Sequence, residues 1–467
     1  MSSRKEQSTM PFAVMLRTGC WGLLSLSILT AIARWPVAYG QAAEALTLDQ
    51  ALTLALEHNP TIQASHEEVK RSDAEYDRAT GAFFPKINVS GTYTNTNRPS
   101  QAFGILLDQG RFTAADFAIP KLNNPGTLEN FNSAISLNQP VYNGGRELLG
   151  LELAETEQSI AQEGLEETRQ RILFQVAASY HALALAKVAL RIAEETVAIA
   201  KDNLVRIVAR YRRGIAVKSD VLQARVRLAA HREDVVRARQ RVAVANIRLR
   251  HAIGVDYDVD TAESLSPESP PALDRARLMQ MAMAQRPDYR RLQAQLHQAD
   301  LAVQKAKSAF FPNLNLQANY ELNATAPFSP NGSNNYSVFG ILSLNLFNGL
   351  SDAATVRKTQ AQVEKVRHLL DATRRRIEVE VMEASSQVTA AAERLTVTEQ
   401  AVEQADEHLR IMRNRYTSGL APVLDLLTAE LILRRAKLDR VQALYDLHVS
   451  QARLDLVTGA VSGSGNS

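Results

Sequence analysis

The 467-residue chain has a single cysteine, Cys20, and it falls within the first forty residues. Everything after that stretch is without disulfides and without thiol chemistry, even in an oxidising compartment. Aromatic residues make up only 6%, with alanine filling much of the apolar quota, and this suits close helix–helix contact better than a thick globular core. With 16 prolines and 21 glycines against 45% hydrophobic residues, the composition is that of a folded chain rather than a disordered one. Neither charge sign dominates. Without residues 1–40 the count is 49 basic against 49 acidic residues, so the basic pI gives no argument for nucleic acid. Beyond the N-terminus no run reads as a transmembrane helix, because even Leu173 to Ala193 carries Gln175, His181, Lys187 and Arg191. Catalytic sets are missing too. The nine histidines are scattered, His66-Glu67-Glu68 lacks a Pro-Cys-x-x-Cys partner, and there is no phosphate loop, dinucleotide fingerprint or nucleophile elbow. Arg374-Arg375-Arg376 reads as a solvated helix face. No enzyme, cofactor or metal is expected.

Residues 1–40 read as an export signal. Arg4, Lys5 and Arg17 precede the apolar run Gly19 to Ala33, and Ala38-Tyr39-Gly40 supplies small residues for cleavage. Cys20 stands before most of that run with Arg17 three residues upstream, which argues against lipid attachment.

The dominant feature is a duplication. Gly81-Ala82-Phe83-Phe84-Pro85 returns 227 positions later as Ser308-Ala309-Phe310-Phe311-Pro312, and Asn59-Pro60 and Tyr93 match Arg286-Pro287 and Tyr320 at the same offset. Further along, the offset is 205. Val141-Tyr142-Asn143-Gly144 matches Leu346-Phe347-Asn348-Gly349. Arg210-Tyr211, Gly214, Asp220 and Gly254 match Arg415-Tyr416, Gly419, Asp425 and Gly459. A 22-residue insertion in copy one, between Tyr93 and Val141, accounts for the change. The copies are expected at 41–254 and 275–459, joined by an acidic, proline-containing surface linker at 255–274 and followed by a disordered tail at 460–467.

Each copy reads as a helix, two strands and a long helical hairpin. Pro60 and Pro287 are expected to kink or split the first helix. From Asn313 to Leu322 polar and apolar residues alternate without a break, and Ile87, Val89 and Tyr93 repeat the pattern. The strands are expected near 84–97, 132–142, 311–324 and 336–347, and a period of two over about ten residues is the mark of a membrane barrel strand. The hairpins are expected at 144–253 and 349–458. Val176, Leu183, Leu190, Val197, Leu204 and Tyr211 recur every seven, with Ala186, Ala193, Ala200 and Ile207 alongside, and copy two repeats the rows from Val381 to Tyr416. A helix from Gly145 to Tyr211 would be about 100 Å long, too long to fold into a globule. Four strands cannot close a barrel and open edges are not tolerated in lipid, so the chain is expected to oligomerise.

The paired Phe-Phe-Pro turns, the strand-to-helix Asn143-Gly144 and Asn348-Gly349, and the two tips Arg210–Leu222 and Arg415–Leu427 occur twice and in order. In these the chain resembles the TolC-like outer membrane efflux proteins over essentially its whole length. The resemblance implies a mainly α fold with transmembrane β: a homotrimer with a 12-stranded β-barrel, four strands per chain, continued by a periplasmic α-helical coiled-coil barrel. It implies an outer membrane channel of a tripartite efflux or type I secretion system, with a periplasmic adaptor protein and an inner-membrane pump of RND or ABC type as partners. The periplasmic gate would comprise Asp220 on the first tip and Tyr416 on the second, with Asp425, Ser219 and Thr428. Where the family's best-known pattern has an arginine two residues after the second-tip glycine, this chain has Ala421, and Thr428 replaces a second acid, which implies fewer charged contacts. The tips Arg213, Gly214, Gly419, Leu420 and Pro422 would dock the adaptor. A periplasmic coiled-coil adaptor or structural protein is the alternative, though it would usually carry one hairpin and a separate β-domain.

Overall fold

The computed structural model describes residues 44–262, 274–327, 329 and 332–461. The export signal, the prolines of the linker and the end of the tail lie outside the described residues.

Helix α1 (Leu48–His58) opens on a capping box, with Thr47 Oγ1 accepting from Gln50 N and Gln50 Oε1 from Thr47 N. Proline splits the helix rather than kinking it. Asn59 is extended and caps α2 (Pro60–Thr80), which carries Pro60 in its first turn, where the missing N–H is no loss. A short 3-10 turn leads to β2 (Lys86–Thr96), and β3 (Leu128–Asn143) returns to α5 (Arg146–Arg212) and α6 (Lys218–Ile253). Copy two repeats this as α7 (Arg275–Gln285), α8 (Pro287–Lys307), β5 (Asn313–Ala324), β6 (Ser333–Ser343), α9 (Ser351–Thr417) and α10 (Val423–Thr458). Both long helices have 67 residues and both return helices 36, so the duplication holds to the residue in the helical part. The insertion folds as α3 (Pro99–Asp108), a 3-10 turn and α4 (Ile119–Asn123) between β2 and β3.

The four long strands form one antiparallel sheet in the order β2-β3-β5-β6, and β2 and β6 are its edges. Directly paired residues share a face. One face carries Ile87, Val89, Tyr93, Phe131, Ile135, Leu137, Tyr320, Tyr336 and Val338. The other carries Asn88, Ser90, Thr92, Asn130, Asn132, Ser136, Asn319, Glu321, Asn323 and Asn335. Tyr93 and Phe131 are paired with ring centroids 4.8 Å apart, and Tyr320 pairs Tyr336, giving an aromatic band at the end remote from the helices. β6 ends at Ser343 rather than near 347. Its partner β5 begins at Asn313, opposite Ser343, so Leu344 and Leu346 have no strand beside them and stay exposed.

The helices form two hairpins, α5 with α6 and α9 with α10, and α5 also packs on α10. With α2 and α8 also packed on α5, the seam shifts along its length. In α9 the buried row is Val381, Val388, Leu395, Leu409 and Tyr416, whereas in α5 it passes from Val176 and Leu183 to Ala186, Ala193, Ala200 and Ile207. By length and hydropathy α5 does contain a window able to cross a membrane, contrary to the expectation above. Its apolar side is packed against other helices, and Lys187 within it pairs with Asp260 at 2.7 Å.

The linker is less of a surface segment than expected. Residues Val259–Thr261 form β4, which pairs with β1 (Glu44–Leu46). Val259 and Thr261 point inward and are buried, and Asn246 donates to the Val259 carbonyl. Just before it, Gly254 (φ 92°) ends α6 where a Cβ would lie 2.8 Å from the His58 carbonyl oxygen. Gly459 (φ 75°) ends α10 in the same way against Gln285, with a Cβ 2.8 Å from its carbonyl carbon. Only glycine fits a left-handed cap pressed against another backbone.

Candidate functional site

At the far end of each hairpin the chain reverses through the same motif. Gly214 N–H bonds Tyr211 O and Ile215 N–H bonds Arg210 O, while Gly419 N–H bonds Tyr416 O and Leu420 N–H bonds Arg415 O. Glycine at φ 76° and 75° completes each cap. The returning helices differ. Asp220 reaches back to accept from Val217 N–H at 3.4 Å, but the matching position in copy two is Pro422, which has no N–H to offer Asp425.

The copies differ more at the tyrosine. Tyr211 is 44% exposed, but Tyr416 is buried at 7%. Arg210 covers it: its guanidinium carbon lies 4.9 Å from the Tyr416 ring centroid, and Nη1 donates to the carbonyls of Tyr416 and Thr417, each at 3.2 Å. One arginine thus ties the first hairpin to the second. The Tyr416 hydroxyl and the Arg210 Nε are buried without a hydrogen-bond partner among the described residues. Burial pushes the Tyr416 hydroxyl above its ordinary pKa; the nearby Arg210 charge opposes this and the Asp220 carboxylate adds to it.

Asp220 and Tyr416 therefore meet through charge, with no hydrogen bond between them, and Arg210 is the bridge. Arg210 belongs to the tip motif, but nothing local in the sequence marks it as the bridge. Ser219, Asp425 and Thr428 are exposed and outside this cluster, as are Arg213, Gly214, Gly419 and Pro422. Leu420 is 71% exposed, and Ile215, Val217 and Leu424 join it in an apolar rim at the tips. Above the tips an apolar layer of Ile207, Val221, Ala224, Leu409, Leu426 and Leu433 joins the hairpins.

Two further polar links cross between the hairpins above the tips, and neither was foreseen. Asn203 on α5 donates to the Glu430 carboxyl on α10, both residues buried. Burial raises the Glu430 carboxyl to about 7, against the pull of Arg413 and the Asn203 hydrogen bond. Arg434 on α10 bonds Asp234 on α6 and approaches His231 Nδ1 at 3.2 Å. Among the described residues no group of three or more His, Cys, Asp or Glu could hold a metal ion.

The family model "Outer membrane efflux protein" matches residues 51–255 and again 278–460, one stretch for each repeat. The chain belongs to the outer membrane efflux protein family. It is similar to the outer membrane efflux protein BepC of Brucella suis, 23% identical over 91% of this chain and 87% of that protein. It is also similar to the CyaE protein of Bordetella pertussis, 24% identical over 82% of this chain and 78% of the other. Among solved structures, CusC superposes with a TM-score of 0.76 at 18% identity, covering 90% of this chain and 95% of that one. The open state of the Neisseria gonorrhoeae MtrE channel gives 0.73 at 16% identity, over 90% and 91% of the two chains. The fold is that of TolC-family channels, long helices continued by four antiparallel strands per chain. As a member of that family the chain is a transport protein, not an enzyme, and an outer membrane channel that extends into the periplasm.

Proposed function

We propose that three copies assemble into a passive exit duct whose 12-stranded barrel crosses the outer membrane, and whose helical tips close its periplasmic end. The observation that carries this reading is the open sheet. Its apolar face and aromatic band suit lipid, its polar face suits a wet lumen, and both edges, β2 and β6, are left unpaired. Unpaired strand edges are not viable in hydrocarbon, so β6 of one copy must meet β2 of the next.

The duct serves a tripartite efflux or type I secretion system. Two relatives carry names that point each way, the efflux protein BepC and the alkaline protease secretion protein AprF of Pseudomonas aeruginosa. A periplasmic adaptor docks on the apolar rim around Leu420 and Pro422, and an inner-membrane pump supplies the energy. The gate is the junction of the two hairpins at Arg210, Tyr416 and Asp220, with Asp425, Ser219 and Thr428 facing the mouth. It holds the closed state with few charged contacts, because Ala421 and Thr428 contribute none.

Detergent extraction of outer membranes followed by mass measurement tests the assembly, and planar bilayers test the duct. The expected result is an SDS-resistant trimer that forms water-filled channels. A monomeric protein that leaves bilayers impermeable would overturn the reading.

A further inference from the structure

The 22-residue insertion is not a loose loop. Phe103, Phe112 and Phe117 stack edge to face with centroids 4.9 and 5.0 Å apart, Ala102 and Ile105 are buried, and Thr113 and Asp116 close a capping box. It joins β2 to β3 at the end of the sheet remote from the helices, which is the outer end of the barrel.

Strand register decides on which side of the sheet it lies. Gln109, at the end of α3, donates to Asn130 Oδ1 at 3.0 Å and to the Glu129 carbonyl at 2.8 Å. Asn335 on β6 donates to the Asp108 carbonyl at 3.1 Å, and a Cβ at Gly110 would lie 3.5 Å from Ser333 Oγ. Asn130, Ser333 and Asn335 all belong to the polar face. Beneath the end of α3, Asn130 and Asn323 bond each other at 2.8 Å, with exposures of 6% and 2%. The insertion therefore reaches across the sheet from β3 to the far edge, β6, along the side that faces water. Copy two has no counterpart, because only residues 325–332 separate β5 from β6.

Resting on the channel reading above, we propose that α3 and its loop stand inside the outer mouth of the barrel and act as a size filter on what leaves. Three copies around the axis narrow the exit at the level of Asn130 and Asn323, while ions and small solutes pass. This constriction lies at the opposite end of the duct from the helical tips. It discriminates by bulk, not by charge, since residues 99–126 set Asp108 and Asp116 against Arg111 and Lys121 and carry no net charge.

The test places a reporter thiol below the filter. Asn319→Cys lies on the polar face of β5, four residues from Asn323 and about 13 Å deeper at strand spacing. Intact cells are treated from outside with a small charged methanethiosulfonate or a bulky polyethylene-glycol maleimide, with unsubstituted protein as background. The expected result is fast labelling by the small reagent in Asn319→Cys with and without the insertion. The bulky reagent should label slowly in the full chain and several-fold faster when residues 99–126 are replaced by a short Gly-Ser turn. Equal bulky labelling with and without the insertion overturns the filter but leaves the channel intact. No labelling by the small reagent means that this face is not water-filled, and the channel reading itself falls. A second variant checks placement alone. A Cβ at Gly110 would be 3.6 Å from Ser333 Cβ, within disulfide range, so Gly110→Cys with Ser333→Cys should oxidise spontaneously. Two free thiols in folded trimer would overturn the placement of α3.

Discussion

Arg210 offers a matched experiment, because the duplication supplies its own control. Arg210 and Arg415 occupy the same position in the two tips and precede a tyrosine in each. Only Arg210 crosses to the other hairpin, where it donates to the Tyr416 and Thr417 carbonyls and covers the Tyr416 ring; Arg415 is exposed. Hydrogen bonds to a charged group are worth about 1.5 kcal/mol each at the low end of their range. A cation over an aromatic ring adds about 0.5 kcal/mol at the low end of its range. Arg210 is half-buried, so water recovers part of this, leaving a loss of about 2 kcal/mol in Arg210→Leu. If the hairpins must part for the mouth to widen, that shifts the closed-to-open ratio by about thirtyfold, at about 1.4 kcal/mol per factor of ten. Single-channel recording in planar bilayers reads this as longer and more frequent open events, and thermal melting of each purified variant checks that both fold. Arg415→Leu should leave the opening unchanged. Equal opening in the two variants, or none in Arg210→Leu, would refute the reasoning.

Glu430 sets a pH dependence. Its folded carboxyl is raised to about 7 from 4.5, so its contribution to holding the hairpins together is complete below about 4.5 and is lost as pH rises through about 7. The ceiling of that loss is about 3 kcal/mol at 1.36 kcal/mol per unit. Melting curves from acid to mildly alkaline pH should fall for the native chain and stay flatter for Glu430→Gln, which should also be the more stable form at the alkaline end. A native melting point that rises over that range would count against the assignment. Gly254→Ala should lower the melting point, because left-handed backbone costs about 1 kcal/mol in a non-glycine residue and the new methyl meets the His58 carbonyl at 2.8 Å. Gly164→Ala, at an ordinary helical position with nothing within 4 Å, is the opposite case and should raise it, since alanine is the better helix former by about 1 kcal/mol.

Most of the architecture was legible because two independent periodicities agreed. The offsets of 227 and 205 recur between α1 and α7, between β2 and β5, and between α5 and α9, since equal chain lengths must fill equal geometry. Alternation in Asn313–Leu322 marked a strand with one wet and one apolar face, and the paired register keeps those faces separate. What could not be read depends on contacts far apart in the chain. Arg210-Tyr211 and Arg415-Tyr416 look alike locally, so nothing in them tells which arginine crosses and which tyrosine is buried. Asn203 and Glu430 are 227 residues apart, each in an ordinary helical stretch. β4 has only three residues, too few for a period to show, and its burial comes from β1 and α6. The end of β6 follows from where its neighbour stops, which no local pattern encodes.

Equal helix lengths in the two halves leave the chain little freedom to change size. One residue added to α5 would turn everything beyond it by about 100° and advance it by 1.5 Å. The first tip would then present Arg210 to the wrong side of its neighbour, while the second stayed where it was. A compensating addition would be needed at the matching place in α9, and two simultaneous events at a fixed separation are rare. The turn joining β2 to β3 escapes this coupling because it lies beyond the last paired strand residue, Thr96 opposite Leu128. Length can vary there without disturbing either half, so the outer rim is where descendants of this duct can diverge most freely.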